Sequence, residues 1–537
     1  SRAVILLLAA LLFVLIGFRV FFSGALLGPL EALLRGVRKV NAGNLDVAVA
    51  ARVEDEIGFL THSFNGMVSS IRDARLKLQD YANSLEEKVK ARTAELQETL
   101  TQVQSLKSQQ DGDYFLTALL LRPLRANRAK SDAVSVEFFQ RQKKHFTFRH
   151  WQEEIGGDLC MSNNLRLNGR PFTVVMNADA MGKSMQGAGG ALVLGSVFEA
   201  ILERTQLSAA MQEQFPERWI KNAFIELHKV FEAFECSMMV SLVIGLIDEE
   251  SGLLYYINAE HPFSILYRRG KAAFMDVETL FRKLGSPATS GNISIRTFQL
   301  QPGDVMIIGS DGRDDILLSE EGREPFMNED ESKILGHVEA ADGNLQGIFD
   351  RLTSWGTIID DLTFIRIGYR ESGGVPEALI ESPVNKEIRD LLVKSGELTR
   401  AQNFAGAVPL LEQAFKLDDR HPEVIKRLAL AYVNLKMFDK AAPLAEDYTY
   451  LRPGDSEFVY VASYCLKKVK EYSRAADYGE RLKLRNPRHV KNLINLAEVY
   501  AKMRNLARAE LLLDSALIVD PDNAAARSRL EKVRRAA

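Results

Sequence analysis

The chain has only three cysteines in 537 residues, Cys160, Cys236 and Cys465, and no two form a CxxC pair. That excludes a disulfide framework and a cysteine zinc cluster, and it suits a reducing compartment. A large excess of one charge sign is also lacking. The formal balance is −3, so there is no basic excess that would point to nucleic acid. A complete nucleotide loop is lacking too. "NADAMGKSMQG", residues 177–187, ends a phosphate-cradling pattern in Gly182-Lys183-Ser184, but the glycine required five positions earlier is Asn177. No other nucleotide-binding glycine box occurs in 113–370, which speaks against a histidine kinase or a nucleotide cyclase.

One long charge-free apolar run is present, "AVILLLAALLFVLIGF" at 3–18, followed by Arg19 and "VFF". About 20 such residues span a bilayer, and an arginine near the helix end can reach the interface. A signal peptide has a shorter apolar core, and a membrane anchor fits better with the sequence beyond. Arg35, Arg38 and Lys39 place that following side in the cytoplasm.

Residues 29–75 read as two amphipathic helices around a connector with Gly43 and Asn44. Pro29 suits a helix start, and Asp55 and Glu56 suit another. Pro29, Gly43 with Leu45, Asp55-Glu56-x-Gly58 and Phe64-Asn65-x-Met67 together resemble the HAMP signal-relay domain. The resemblance implies a parallel dimer that passes on a change from a membrane or external sensor. Next, Leu78, Ala82, Leu85, Val89, Arg92, Leu96, Thr99, Val103 and Leu106 alternate by four and three, a coiled-coil seam. Arg92 and Thr99 are poor seam residues that tune its stability. The stretch "DYFLTALLLRPL" is expected to form the first helix of the next domain.

At the other end a repeat appears. Ala407, Ala441, Ala475 and Ala509 recur every 34 residues, each three positions after Phe404, Phe438, Tyr472 or Leu506, and Pro422, Pro453, Pro487 and Pro521 close the units. This is the tetratricopeptide pattern, in which small residues let paired helices approach. Three to four units fit, and such stacks mostly dock protein segments.

Between these modules, aspartates stand at strand ends or in glycine turns. Asp158 lies in "EIGGDLC", Asp179 in "VVMNADAMGKS", Asp311 in "DVMIIGSDGRDD", and Asp360 and Asp361 in "TIIDDLTFIRIGY". Separated carboxylates without accompanying histidines suit magnesium or manganese over zinc. Gly156-Gly157-Asp158, Asp179-Ala180-Met181-Gly182, Pro302-Gly303-Asp304, Ser310-Asp311-Gly312 and Asp360-Asp361-Leu362-Thr363, with "YYINAEHPFSILYRRG", resemble in order the metal-dependent type 2C protein phosphatases of the bacterial SpoIIE type. The resemblance implies a catalytic β-sandwich flanked by helices and two Mn²⁺ or Mg²⁺ ions. It implies that Asp179 bridges the ions, that the Ala180 carbonyl binds one, that Asp311 and Asp360 complete the other site, and that Asp158 binds directly or through water. The sequence departs from the family at Met161, where a second aspartate is usual, at Lys183 in place of a histidine, and at Glu260 in place of a glycine. Lys183 is a candidate for attracting the substrate phosphate. His261 and Cys160 read as structural.

The expected architecture is multidomain: a transmembrane helix at 1–24, a HAMP domain at 25–77, a coiled coil at 78–112, an α+β phosphatase domain at 113–372, a linker at 373–390 and an all-α tetratricopeptide solenoid at 391–537. The expected function is a phosphatase at the bacterial inner membrane, its catalytic and repeat domains in the cytoplasm. It would act on phosphoserine or phosphothreonine of a regulatory protein such as an anti-sigma-factor antagonist. The alternative is an inactive phosphatase-fold scaffold working through the repeats. Expected partners are the membrane, a second copy in a parallel homodimer, the phosphoprotein substrate and a protein ligand of the repeats.

Overall fold

A computed structural model describes residues 2–536 except 53, 277–280, 288–292, 320–323 and 372–382. The part of the expected linker from 373 to 382 therefore lies outside the described residues. The chain divides into two compact units, Ser1–Gln109 and Gln110–Ala537.

The first unit begins with helix α1 (Arg2–Phe22), whose large apolar side chains from Val4 to Phe22 are exposed. Through five π-helical residues it runs into α2 (Gly28–Asn41), and Val4–Asn41 contains a window long and apolar enough to cross a membrane. A second stretch, Met185–Leu207, passes the same test but is half buried within the second unit, as a core helix is. After the connector comes α3 (Glu56–Leu121). Val49, Phe64 and Val68 form a small core with Leu33, Val37 and Leu45 around them. Gly36 permits this contact, since a Cβ there would press on Val49 and on the Phe64 ring. Asn65 holds the connector from both sides, donating to the Val49 carbonyl at 2.7 Å and accepting from the Val49 amide at 2.9 Å. The Asp55 carboxylate accepts from the amides of Ile57 and Gly58, both at 3.0 Å, which caps α3. The seam residues Leu78, Leu85, Val89, Leu96, Val103 and Leu106 are all exposed. The helix continues without a break through Asp113 to Leu121, so "DYFLTALLL" is the end of α3 and not a new helix.

The second unit starts as a sandwich of two antiparallel five-stranded sheets. One runs in the order β1 (Val134–Arg141), β15 (Leu362–Tyr369), β11 (Asp304–Gly309), β8 (Ile265–Arg268), β9 (Lys271–Phe274). The other runs β10 (Arg296–Gln299), β7 (Leu253–Ala259), β6 (Val240–Asp248), β5 (Arg170–Ala180), β4 (Asp158–Leu167). A hairpin of β2 (Lys144–Phe148) and β3 (Trp151–Ile155) and a small sheet of β13 (Phe326–Met327), β12 (Ile316–Leu318) and β14 (Thr357–Ile358) lie at the margins. Side chains alternate between faces along a strand, so each sheet carries two apolar surfaces. Cys160, Val175, Val243, Met306 and Ile365 meet between the sheets. Leu159, Met176, Leu242 and Ile257 face α4 (Met185–Leu207) and α6 (Pro216–Glu232), which follows the single-turn α5 (Ala209–Gln212). On the far side, Val305, Ile307 and Phe364 face α7 (Lys333–Ala340) and α8 (Leu345–Trp355). The result is a four-layer αββα body, the flanked sandwich anticipated from sequence.

Helices α9 (Pro383–Arg400), α10 (Phe404–Leu417), α11 (Pro422–Asn434), α12 (Phe438–Leu451), α13 (Ser456–Lys468), α14 (Tyr472–Arg485), α15 (Val490–Lys502), α16 (Leu506–Val519) and α17 (Ala524–Ala536) complete the unit. Position 391, where the repeats were expected to begin, lies within α9. The four periodic alanines are fully buried where the paired helices cross. Pro422 is the first residue of α11, whereas Pro453, Pro487 and Pro521 stand in the turns before α13, α15 and α17.

The repeat array packs on the sandwich through buried charge. Glu217 of α6 has no exposure to solvent, and its carboxylate accepts from Arg485 Nε at 2.7 Å and from Arg481 Nε at 3.4 Å. The Arg481 guanidinium lies 4.0 Å from the centre of the Phe215 ring. Arg170 of β5 is held by Asp248 at 2.8 Å, and its guanidinium stacks 4.7 Å from the Tyr450 ring. The Ile295 amide donates to the Leu484 carbonyl at 2.7 Å.

Candidate active site

Asp158 opens β4 and Asp179 nearly ends β5, and the antiparallel register sets them directly opposite each other. Cross-strand partners share a face, with Cβ atoms about 5 Å apart, and like charges there are destabilising. Both face the space between the sheets, the side that also carries Cys160 and Val175. From the other sheet, Asp311 follows β11 and Asp360 precedes β15, neighbouring strands whose ends meet at the same edge. Four sequence-distant aspartates thus share one mouth between the sheets.

Their electrostatics express that crowding. Burial, then the Asp179 charge, pushes the Asp158 carboxyl well above the usual carboxylate range. Burial and the charge of Asp311 push Asp179 up to about 7, with Asp360 and Asp361 adding to the effect. Asp311 is raised by burial and by Asp315 and Asp360. Asp158 Oδ2 accepts from the Thr363 hydroxyl at 3.0 Å, while its buried Oδ1 has no hydrogen-bond partner. An orphaned buried carboxylate oxygen beside other carboxylates has the chemistry of a ligand for a hard divalent cation. Among the described residues, no three acidic, histidine or cysteine side chains are gathered closely enough to encircle an ion. The carboxylates share a mouth without meeting at a point, as mutual repulsion favours.

The turns that bring backbone to this mouth need glycine. A Cβ on Gly157 would run into the Ala180 carbonyl oxygen, the proposed backbone ligand, and one on Gly312 would run into the carbonyl of Asp361. Lys183 is exposed in the turn before α4, between Gly182 at φ +111° and Ser184 at φ 54°. Glu260, where the family has glycine, adopts φ 48°, a left-handed backbone that glycine reaches without strain. Met161 packs in the apolar core on the helix side of the sheet, away from the mouth.

The sequence did not reveal a buried polar chain behind the carboxylates. His261 Nε2 lies 2.7 Å from Asn177 Oδ1 and its Nδ1 lies 3.0 Å from Ser241 Oγ. An amide oxygen only accepts, so Nε2 carries the hydrogen and Nδ1 accepts from the serine. Asn177 Nδ2 then donates to Thr363 Oγ1 at 3.0 Å, and the threonine hydroxyl donates to Asp158. Burial, with Arg313 and Lys283 nearby, pushes His261 down to about 3, so the ring is neutral and structural. Burial pushes the Cys160 thiol up to about 12, which makes it inert. Asp361, adjacent to the candidate ligand Asp360, turns away to accept from the amides of Lys143 at 2.8 Å and Gly157 at 2.9 Å. It fixes the Gly156-Gly157 turn against β15. Beside Asp360 a cleft of ≈ 570 Å³ opens, lined by Arg141, Lys143, His145, Phe349 and Thr353 among others.

Residues 172–370 match the family model described as stage II sporulation protein E (SpoIIE). The domain is a SpoIIE-type protein phosphatase. Asp179, Asp311 and Asp360 fall within the matched segment and Asp158 just before it. Residues 21–73 match the HAMP domain and residues 398–462 a tetratricopeptide repeat. No curated protein matches the chain. Among solved structures, the PP2C phosphatase domain with a regulatory fragment of SpoIIE from Bacillus subtilis is 16% identical at a TM-score of 0.32, covering 45% of this chain and 65% of that one. RsbX in complex with magnesium is 16% identical at 0.30, covering 45% and 98%. MamA from Desulfovibrio magneticus RS-1 is 19% identical at 0.27, covering 28% and 85%.

Proposed function

We propose that this SpoIIE-type phosphatase is anchored in the bacterial inner membrane by α1 and removes phosphate from phosphoserine or phosphothreonine of a regulatory protein of the anti-sigma-factor-antagonist kind. The observation that carries the reading is the Asp158–Asp179 pair, directly opposed across β4 and β5 with Asp311 and Asp360 at the same mouth. Asp158, Asp179, Asp311, Asp360 and the Ala180 carbonyl are the proposed ligands of two Mn²⁺ or Mg²⁺ ions. Such ions, when bound, supply water of lowered pKa as nucleophile and neutralise the phosphoryl oxygens. The chain's own residues do the positioning. Thr363 and the chain through Asn177 and His261 orient Asp158, and Asp361 holds the glycine turn that lets the Ala180 carbonyl face the mouth. Cys160, two residues along β4 from Asp158, is buried and protonated and serves as no nucleophile.

Regulation is proposed to enter through α3. Its exposed row of Leu78, Leu85, Val89, Leu96, Val103 and Leu106 suits a second copy in a parallel homodimer. Inserting one residue near Ser108 turns that row by about 100° relative to the residues beyond and is expected to change activity strongly.

The test of the enzyme reading is phosphate release from a phosphoserine protein by full-length detergent-solubilised protein. Release should require Mn²⁺ or Mg²⁺, and Asp179→Asn should abolish it with the circular-dichroism spectrum retained. A wild type that releases no phosphate with either metal overturns the reading.

A further inference from the structure

We infer that Lys283 is the cation that binds the substrate's phosphoryl group, a role for which the sequence offers only Lys183. This rests on the metal-dependent phosphatase reading above. The backbone placement comes first. After β7 ends, Leu284 takes the next place beside β6, exchanging two backbone hydrogen bonds with Val240 at 2.8 and 3.2 Å in an antiparallel bridge. Antiparallel counting from that bridge sets Lys283 against Ser241. Ser241 is opposite Asp179, and Asp179 is opposite Asp158. The four residues therefore form one row across neighbouring backbones, on one face, at about 5 Å per step.

The segment is held firmly on both sides of the lysine. Phe281 bridges to Ala259 and packs 5.6 Å from the Phe224 ring. Leu284 is fully buried in the helix-side core, so its neighbour Lys283 projects to the opposite face, where the aspartates are. Gly285, at φ +82°, sits where a Cβ would press on the Met238 and Phe231 carbonyl oxygens. Lys283 is half-buried, and among the described residues it has no ion-pair partner within 4 Å. Its charge nevertheless acts on Asp179, Asp311 and His261. The Lys283 backbone stands about 10 Å from Asp179, two strand spacings away. Glu260 Oε2 accepts from its amide at 3.5 Å, and its ammonium, on a flexible stem and unpaired among the described residues, can reach a phosphate bound at the aspartates.

The experiment uses the full-length protein in detergent with saturating Mn²⁺. Inorganic phosphate binding is measured by calorimetry, and KM and kcat with a phosphoserine peptide, for wild type, Lys283→Ala, Lys283→Met, Lys283→Arg and Lys183→Ala. Lys283→Ala and Lys283→Met should each weaken phosphate binding and raise KM by about tenfold or more, as loss of a charged hydrogen bond does. Lys283→Arg should recover most of both, and the methionine variant keeps the apolar stem in case alanine unfolds the segment. Phosphate affinity and KM within twofold of wild type in Lys283→Met overturn the inference, as does a larger loss in Lys183→Ala. A tighter Mn²⁺ requirement with unchanged phosphate affinity also overturns it, because that is what a mere balancing charge predicts. If wild type neither binds nor releases phosphate with metal, the phosphatase reading falls and this one with it. If wild type does both and Lys283→Met is indifferent, only the lysine assignment falls.

Discussion

Asp158 and Glu217 are carboxylates of one domain with almost the same exposure, 1% and 0%, and they stand in opposite electrostatic states. Glu217 lies between Arg481 and Arg485, and their charges outweigh burial and hold it below the usual range. Asp158 faces Asp179, and burial and repulsion together push it up. Withdrawal from water is common to both, so the counter-ion decides. At the interface with the repeats the chain supplies its own cations, and the result is a structural joint. At the mouth Lys283 faces the carboxylates without forming an ion pair with them, and the repulsion among the acids is left largely uncompensated, at a cost in folding energy.

That contrast gives predictions of opposite sign. The largest concerns Asp179→Asn. It should lower metal-dependent phosphate release by on the order of 10³-fold or more, yet raise the melting temperature of chelator-treated protein, because a repelling charge is gone. A lower melting temperature would break the comparison. Next, Glu217→Ala leaves two arginines buried and unpaired, which should destabilise by about 3–5 kcal/mol, read by denaturant unfolding and by new proteolytic cleavage where the array meets the sandwich.

The pH dependences should also run in opposite directions. Asp179 is raised to about 7, so in metal-free protein its contribution is present below the unfolded carboxylate pKa and is lost as pH rises through about 7. Glu217 is lowered, so its contribution is present above its unfolded value and is lost as pH falls below it. His261, lowered to about 3, adds a loss of stability as pH falls below the unfolded histidine range. The slopes are therefore read as variant minus wild type, with Asp179→Asn and Glu217→Gln in thermal melts under chelation. The smallest effect is expected from Thr363→Val, which removes two buried hydrogen bonds, one given to Asp158 and one taken from Asn177. It should cost about 2 kcal/mol of stability and reduce kcat only a few-fold.

The two clusters also differ in how far they could be read from sequence. The mouth was legible because each aspartate has a local signature, an apolar strand or a glycine pair beside it. The Glu217 joint was not. Its partners lie far along the chain in a helix of the repeats, and nothing near "PERWIK" marks that glutamate as buried. Adjacent acids were ambiguous for a related reason. Asp360 and Asp361 read alike, and only the fold separates them: Asp361 accepts from the distant amides of Lys143 and Gly157, whereas Asp360 accepts from its neighbour's amide and its charge acts on Asp179 and Asp311. Ser241, Asn177, His261 and Thr363 are ordinary strand and turn residues until the sheets stack. Lys283 had no motif at all, because a bridge between distant segments places it. The helical continuity of α3 was hidden by a change of pattern, from polar seam to apolar "FLTALLL", at a point where the backbone does not change.

The bond between Ile295 and Leu484 has a mechanical consequence. Leu284 is fastened to the first residue of β6, and Ile295 is fastened to α14 of the repeats. The described backbone before residue 288 is thus fastened to the catalytic sheet, beside Lys283, and the described backbone after residue 292 to the helical array. The repeats therefore hold the catalytic domain by a main-chain bond as well as by side chains.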